Sequence, residues 1–141
     1  MVGKSSNLKK DPAVNYQVLR KIECPIKAIN GVTKKFLTDV ARFDVIVDAI
    51  FGIGLSRKIE EPFKSIIKVI NHSKKDVVAV DVPSGLDATT GKVLGISIRA
   101  ALTVTFAVMK KGFLTTQGRR LTGRVKVVDI GIPRAAIKRV L

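Results

Sequence analysis

The sequence predicts an α/β fold of three layers, with a mainly parallel sheet flanked by helices. Three observations carry that expectation. The runs Val45 to Ala49 and Val77 to Val82 are β-branched and apolar, too short for helices and dense enough for buried strands. Segments of helical period alternate with such runs along the chain. Asp48 and Asp81 then mark the strand ends, each followed closely by the Gly, Ser or Pro that lets a chain turn sharply. In an open, Rossmann-like sheet, ligands collect beyond the carboxyl ends of the strands. Two strand-end aspartates in adjacent units therefore predict one shared pocket.

Taken in order, residues 1–10 read as a tail. Asp11-Pro12 opens a helix, with an acid as N-cap and proline at the first helical position. Val14, Val18 and Leu19 continue it at helical spacing to about Lys21. Pro25 to Ile29 is a short strand candidate, closed by the Asn30-Gly31 turn. Thr33 to Ala41 is an amphipathic helix with Phe36, Leu37 and Val40 on its apolar face. After the first strong strand, Phe51 to Lys58 is a glycine-containing loop. A helix then runs from Glu61-Pro62 to about His72, with Phe63, Ile66, Ile67 and Ile70 on one face. The second strong strand leads into a long loop, Pro83 to Gly95, and a third strand at Leu102 to Phe106. Gly112 to Leu114 is a short extended piece, Arg124 to Ile130 a last strand, and Arg134 to Leu141 a terminal helix. Such alternation argues right-handed crossovers between parallel strands. No repeat or linker interrupts residues 1–141, which predicts a single domain.

Composition narrows the function classes. With 46% apolar residues, no Trp and one Tyr, the core must be mostly Ile, Val, Leu and Ala. The single cysteine, Cys24, cannot form an internal disulfide, which points to a reducing compartment. No helix start or histidine lies beside it, so it reads as a small apolar residue near a strand rather than a nucleophile. Met1 to Lys10 is polar and no apolar run approaches ~18 residues, so neither an export signal nor a membrane span is predicted. A cytoplasmic location follows as an expectation. The net charge of +15 is uneven: residues 43–106 carry eight Lys/Arg against seven acids, whereas 107–141 carry nine against one. Such a surplus can bind polyanions by counterion release, solvate the surface, or gather a phosphorylated substrate. Aromatic interleaving and the helix-turn-helix, KH and RNP patterns are all missing, which argues against nucleic acid.

Among motifs, Gly52-Ile53-Gly54 after a strand resembles a phosphate loop, but the third glycine of a dinucleotide fingerprint is replaced by Arg57. The loop still offers backbone N–H groups, with Arg57 and Lys58 beside them to pair with a pyrophosphate. The alternative is a tight turn after a buried strand. A strand-end acid such as Asp48 or Asp81 is costly if buried unpaired and so needs a cation, a donor or a role; loop capping is the plainer reading. Oxygen ligands from Asp48 and the Ser84 hydroxyl suit a hard cation rather than zinc. Ser84 sits in no G-x-S-x-G elbow, and the only histidine, His72, falls at a helix end among lysines, so a Ser/His triad is not predicted. Asp87 to Gly91 reads as an Asx-type turn. Lys110-Lys111-Gly112 either aims an ammonium at the strand-end pocket or is a surface turn.

These residues, taken together, resemble the YjeF N-terminal domain family, the NAD(P)H-hydrate epimerases. The resemblance rests on Asp44 to Arg57 (DVIVDAIFGIGLSR), Val80 to Asp87 (VDVPSGLD) with Thr90-Gly91, Arg99 to Phe106 (RAALTVTF), Lys111-Gly112, Val125 to Pro133 (VKVVDIGIP), and the helix in Lys9 to Lys21. It implies an isomerase that interconverts the R and S forms of hydrated NADH or NADPH, so that a partner dehydratase can repair the S form. By the same resemblance Asp48 and Ser84 would coordinate a potassium ion. Gly52, Ile53, Gly54, Leu55, Ser56, Arg57 and Lys58 would hold the substrate's phosphates. Asp81 would contact the hydrated ring as general acid/base.

One family feature has no counterpart. Members carry an upstream strand followed by Gly-Asn-Asn-Gly-Gly-Asp-Gly, and this sequence has no such run. The expectation is an N-terminally truncated domain, the C-terminal two-thirds of the family's. An apolar strand edge would then lie open to a second copy or a separately encoded N-terminal half. Two other readings stay open: a non-catalytic nucleotide- or RNA-binding module, a use to which the family fold is put in RNA decay, or an inactive remnant.

Overall fold

The computed structural model describes residue 8 and residues 10–138. The tail expected at residues 1–10 and the end of the terminal helix at 139–141 thus lie largely outside the described residues. Four strands, β1 (Val45–Asp48), β2 (Asp76–Val80), β3 (Leu102–Phe106) and β4 (Arg124–Val128), form one sheet in the order β1-β2-β3-β4. All three pairings are parallel, with Asp48 opposite Ala79, Val80 opposite Val104 and Phe106 opposite Val128. The helices are α1 (Asp11–Lys21), α2 (Lys34–Arg42), α3 (Phe63–His72), α4 (Thr116–Thr122) and α5 (Arg134–Lys138). An α/β fold with a parallel sheet is therefore present.

The core forms where the apolar stripe of α3 meets one face of the sheet. Ile66, Ile67 and Ile70 recur at helical spacing, are buried, and pack with Val77 and Ala79 of β2 and with Ile59, Ile98 and Ala100. Each such isoleucine contributes about 1.5–3 kcal/mol by leaving water. Phe36 of α2 and Ile46 of β1 close the same cluster from its flank. A second, smaller cluster joins Val82, Leu86 and Phe113. The opposite face of the sheet is different. Val47, Val78, Val80, Leu102, Val104 and Phe106 alternate onto it, and none of them is buried.

Several expected boundaries move. Lys10, not Asp11, caps α1, and Pro12 is its second residue. The Thr33 hydroxyl accepts the Phe36 N–H and so starts α2 one residue later than the pattern suggests. The strand expected at Pro25 to Ile29 does not form: residues 24–28 have no regular structure, and Cys24 is exposed rather than tucked beside a strand. The extended piece expected at Gly112 to Leu114 is a 3₁₀ turn, Lys111–Leu114, and leads into α4, which periodicity did not predict. The reason is close packing. A Cβ on Gly118 would collide with the Gly112 carbonyl, so α4 forms by nesting two glycines rather than by presenting an apolar stripe.

Candidate functional site

β1 and β2 are parallel neighbours, so their carboxyl ends open at one edge of the sheet. Asp48 is the last residue of β1, and Asp81 follows the last residue of β2. Both aspartates lie at this edge, but the single pocket expected for them does not form: Asp48 bonds Ser84, whereas Asp81 bonds Lys110 and Thr105.

Asp48 turns inward and is 1% exposed. Its Oδ1 accepts the Ser84 hydroxyl at 2.6 Å and the Ile50 N–H at 3.3 Å, and its Oδ2 accepts the Ser84 N–H at 2.8 Å. The Ser84 oxygen in turn accepts the Phe51 N–H at 2.9 Å. Burial pushes the Asp48 carboxyl above its ordinary range, against the opposing pull of the Ser84 hydroxyl and the Ser84 and Ile50 N–H groups. Ser84 is held in place by Gly85. That residue adopts φ +94°, and a Cβ there would collide with the Ile96 carbonyl, so only glycine fits.

Asp81 faces the edge. Its φ of +67° is left-handed, uncommon outside glycine, and Val82 N–H bonds back to Val80 O at 2.9 Å across it. The result is a three-residue γ-turn with a positive-φ centre, a rare and strained form. Asp81 N–H meanwhile donates to Val104 O at 2.8 Å, which pins the turn to β3. The carboxylate that this turn presents lies 3.2 Å from Lys110 Nζ and accepts the Thr105 hydroxyl at 3.2 Å. Lys110 is fixed as well, donating to Phe106 O at 2.8 Å and Val108 O at 3.3 Å. Of its two sequence readings, the one that brings the ammonium to the strand-end site is the one observed. Thr105, inside β3, carries no such signal in the sequence and joins the site only through the β2–β3 pairing.

Gly52 to Lys58 crosses in front of this edge. A Cβ on Gly52 would sit 3.8 Å from Asp81 Oδ2, an ordinary contact, so the loop passes directly beside the carboxylate. Gly54 has open space where a side chain would be, and neither glycine has a positive φ. A bare backbone here thus leaves room without being required by the turn. Leu55 N–H closes the turn onto Gly52 O at 3.3 Å, and Leu55 packs into the main core. Ile53, Ser56, Arg57 and Lys58 are exposed, and among the described residues no carboxylate pairs with Arg57 or Lys58. The loop can meet an anion at the mouth where Asp81 and Lys110 stand.

The other singled-out residues have structural roles. Asp87 Oδ1 accepts the Thr89 and Thr90 N–H groups at 2.9 and 2.7 Å, the expected Asx-type turn. The Thr90 N–H is the first cause of the lowered Asp87 carboxyl. His72 ends α3, exposed, with Nδ1 2.7 Å from Lys68 O. Among the described residues no group of three His, Cys, Asp or Glu could hold a metal ion, and no helix is long and apolar enough to cross a membrane.

A parallel α/β sheet with a fixed carboxylate–ammonium pair at its carboxyl edge and a glycine loop beside it defines the class of open α/β domains, in which that edge is where ligands collect. The chain belongs to the family described as YjeF-related protein N-terminus, whose model matches residues 1–112. It is 50% identical over 86 residues to the NAD(P)H-hydrate epimerase of Limosilactobacillus fermentum, covering 61% of this chain and 41% of that protein. It is 40% identical over 131 residues to the NAD(P)H-hydrate epimerase of Weissella koreensis, covering 93% and 56%. A bifunctional NAD(P)H-hydrate repair enzyme of Thermofilum pendens is 38% identical over 125 residues, covering 88% and 24%. In three dimensions the crystal structure of yeast ynu0 superposes with a TM-score of 0.71 at 25% identity, covering 90% of this chain and 52% of that one. The chain spans between about a quarter and somewhat over half of these proteins' lengths.

Proposed function

We propose that the chain carries the strand-end half of an NAD(P)H-hydrate epimerase site, acting on hydrated NADH or NADPH. The observation that supports this most directly is Asp81, held in a strained turn between Lys110 and the Gly52 loop. Relatives named as epimerases at 40–50% identity point the same way.

In this reading Gly52 to Lys58 receives the substrate's phosphates through backbone N–H groups and the two unpaired cations. Asp81 is the general acid/base. As the carboxylic acid it gives its proton to the ring hydroxyl, the C6–O bond breaks, and water leaves behind a planar ring cation. As the carboxylate it takes a proton from water returning to the opposite face. Lys110 keeps Asp81 in position.

Asp48 and Ser84 offer only oxygen donors, the kind a hard cation such as potassium prefers. They supply three side-chain oxygens, and such a cation takes about six or more, so further donors must complete the shell. Every buried side-chain polar atom among the described residues already has a partner. Potassium, when bound there, would stabilise negative charge near the phosphates.

A single domain over residues 1–141, a cytoplasmic setting and a separate or fused dehydratase acting on the S form complete the proposal. The name of the Thermofilum pendens relative, a bifunctional repair enzyme, supports the last point. An apolar sheet edge at β1 supports completion by a second copy or by a separately encoded N-terminal half.

The test mixes R-hydrated NADPH with potassium and the chain, alone and with the N-terminal part of a relative, and follows conversion to the S form. Acceleration over the spontaneous rate that is lost in Asp81→Asn is the expected result. No acceleration in either mixture would retire the catalytic claim.

A further inference from the structure

We propose that Ala107 is a positioning residue: the turn it centres holds Lys110 and the Phe106 N–H on one oxygen of Asp81 and leaves the other oxygen to the substrate. β2 and β3 end in the same way. Asp81 follows the last residue of β2, and Ala107 follows the last residue of β3. Ala107 has a φ of +62°, beside +67° at Asp81. Val108 N–H bonds back to Phe106 O at 2.7 Å across Ala107, as Val82 N–H does to Val80 O across Asp81. Ala107 N–H donates to Val128 O at 2.9 Å, so this turn is pinned to β4 as the Asp81 turn is pinned to β3.

An aspartate eases a left-handed backbone by local hydrogen bonding of its side chain. Alanine has no such group, and glycine would adopt this φ without a steric penalty. Ala107 is therefore destabilising where it stands. Strained residues persist where their surroundings fix them, and they gather at functional sites. What leans on the turn shows its task. Lys110 Nζ donates to both carbonyls that bracket Ala107, Phe106 O at 2.8 Å and Val108 O at 3.3 Å. Those two bonds set it 3.2 Å from Asp81 Oδ1. The Thr105 hydroxyl reaches the same oxygen at 3.2 Å and the Phe106 N–H at 3.4 Å. Oδ1 is thus occupied from β3 and the turn after it. Among the described residues no hydrogen bond reaches Oδ2, which lies beside Gly52. With glycine at position 107, φ would spread over both signs, the two bracketing carbonyls would swing, and Lys110 would lose its seat. The catalytic consequence rests on the epimerase reading, in which Asp81 exchanges the proton; the seating of Lys110 does not.

The test compares the whole chain as wild type, Ala107→Gly and Ala107→Asn. Limited acetylation with acetic anhydride, read for each lysine by mass spectrometry, reports how firmly an amine is held. In Ala107→Gly, Lys110 is expected to react at least about threefold faster, the worth of one ordinary hydrogen bond. Lys64 and Lys126 should keep their rates. The same variant should melt higher by about 2–5 °C, because the left-handed strain is relieved. Asparagine tolerates a left-handed φ yet is confined by its Cβ, so Ala107→Asn is expected to return Lys110 to the wild-type rate. In the epimerisation assay, run with the N-terminal part of a relative, Ala107→Gly should lower kcat about tenfold and move KM less than about twofold. Ala107→Asn should restore kcat. Faster acetylation with a lower melting temperature would mark general loosening and overturn the proposal. An unchanged Lys110 rate, or an unchanged kcat in Ala107→Gly beside an active wild type, would overturn it as well. A wild type that accelerates nothing retires the epimerase reading alone, and the acetylation rates then decide the positioning claim.

Discussion

Ser84 clasps Asp48 at two points, its hydroxyl 2.6 Å from Oδ1 and its N–H 2.8 Å from Oδ2, across 36 positions of sequence. This contact joins the loops that follow β1 and β2, and both partners are buried. Its removal should therefore register in folding before it registers in chemistry.

Ser84→Ala removes the donor to Asp48 and leaves the Phe51 N–H without its acceptor. A buried group stripped of its partner costs about 1–3 kcal/mol. Urea unfolding should show a loss of that size with an unchanged denaturant slope.

The pH dependence follows from the direction of the Asp48 shift. A carboxyl raised by burial favours its protonated form in the folded chain. Its contribution is thus fully present below the ordinary carboxylate range and is lost as pH rises through the raised folded value. Asp87 is lowered and acts in the opposite sense, losing its contribution only as pH falls below that range. As pH rises above the ordinary carboxylate range the wild type should lose stability relative to Asp48→Asn, measured by urea unfolding at a series of pH values. Parallel curves for the two proteins would contradict the assignment.

Asp81 separates activity from stability. Asparagine tolerates a left-handed φ and is close in shape. Asp81→Asn should change the unfolding free energy by no more than about 1–2 kcal/mol. In the epimerisation assay it should lower the rate by about 10²–10⁴, the usual worth of a general acid/base.

Much of this was legible in the chain itself. Val45 to Asp48 and Asp76 to Val80 announce themselves because strands of a parallel sheet read as unbroken apolar runs, although the burial that such a run predicts is met in β2 only in part and in β1 only at Asp48. Their terminal aspartates then fall at one edge by topology alone. What stayed hidden depends on contacts between segments distant in sequence. Lys110 meets Asp81 only because β3 ends beside β2, and α4 exists because Gly112 and Gly118 nest. Neither leaves a local period to read. The strand misread at Pro25 to Ile29 is the converse: a short apolar stretch that makes a bridge only at Ile29 stays otherwise irregular.

The unpaired side of β1 gives a further expectation. Val45 and Val47 are 52% and 64% exposed at the end of the sheet. An outer strand that also carries bare valines is a template on which a second strand can pair. Sedimentation velocity should find concentration-dependent association that Val47→Lys reduces, with the melting temperature little changed. A monomer at all concentrations would argue that something other than this edge governs assembly.

The strand order has a kinetic meaning. Since no two adjacent strands run in opposite directions, none can zip from a tight hairpin. Val45 must find Asp76, Val78 must find Leu102, and Leu102 must find Arg124, each after an intervening loop has been closed against its entropy. Chains ruled by such distant pairings mature slowly, so a nascent copy would hold its bare valines open to wrong partners for longer than a helical bundle of equal length.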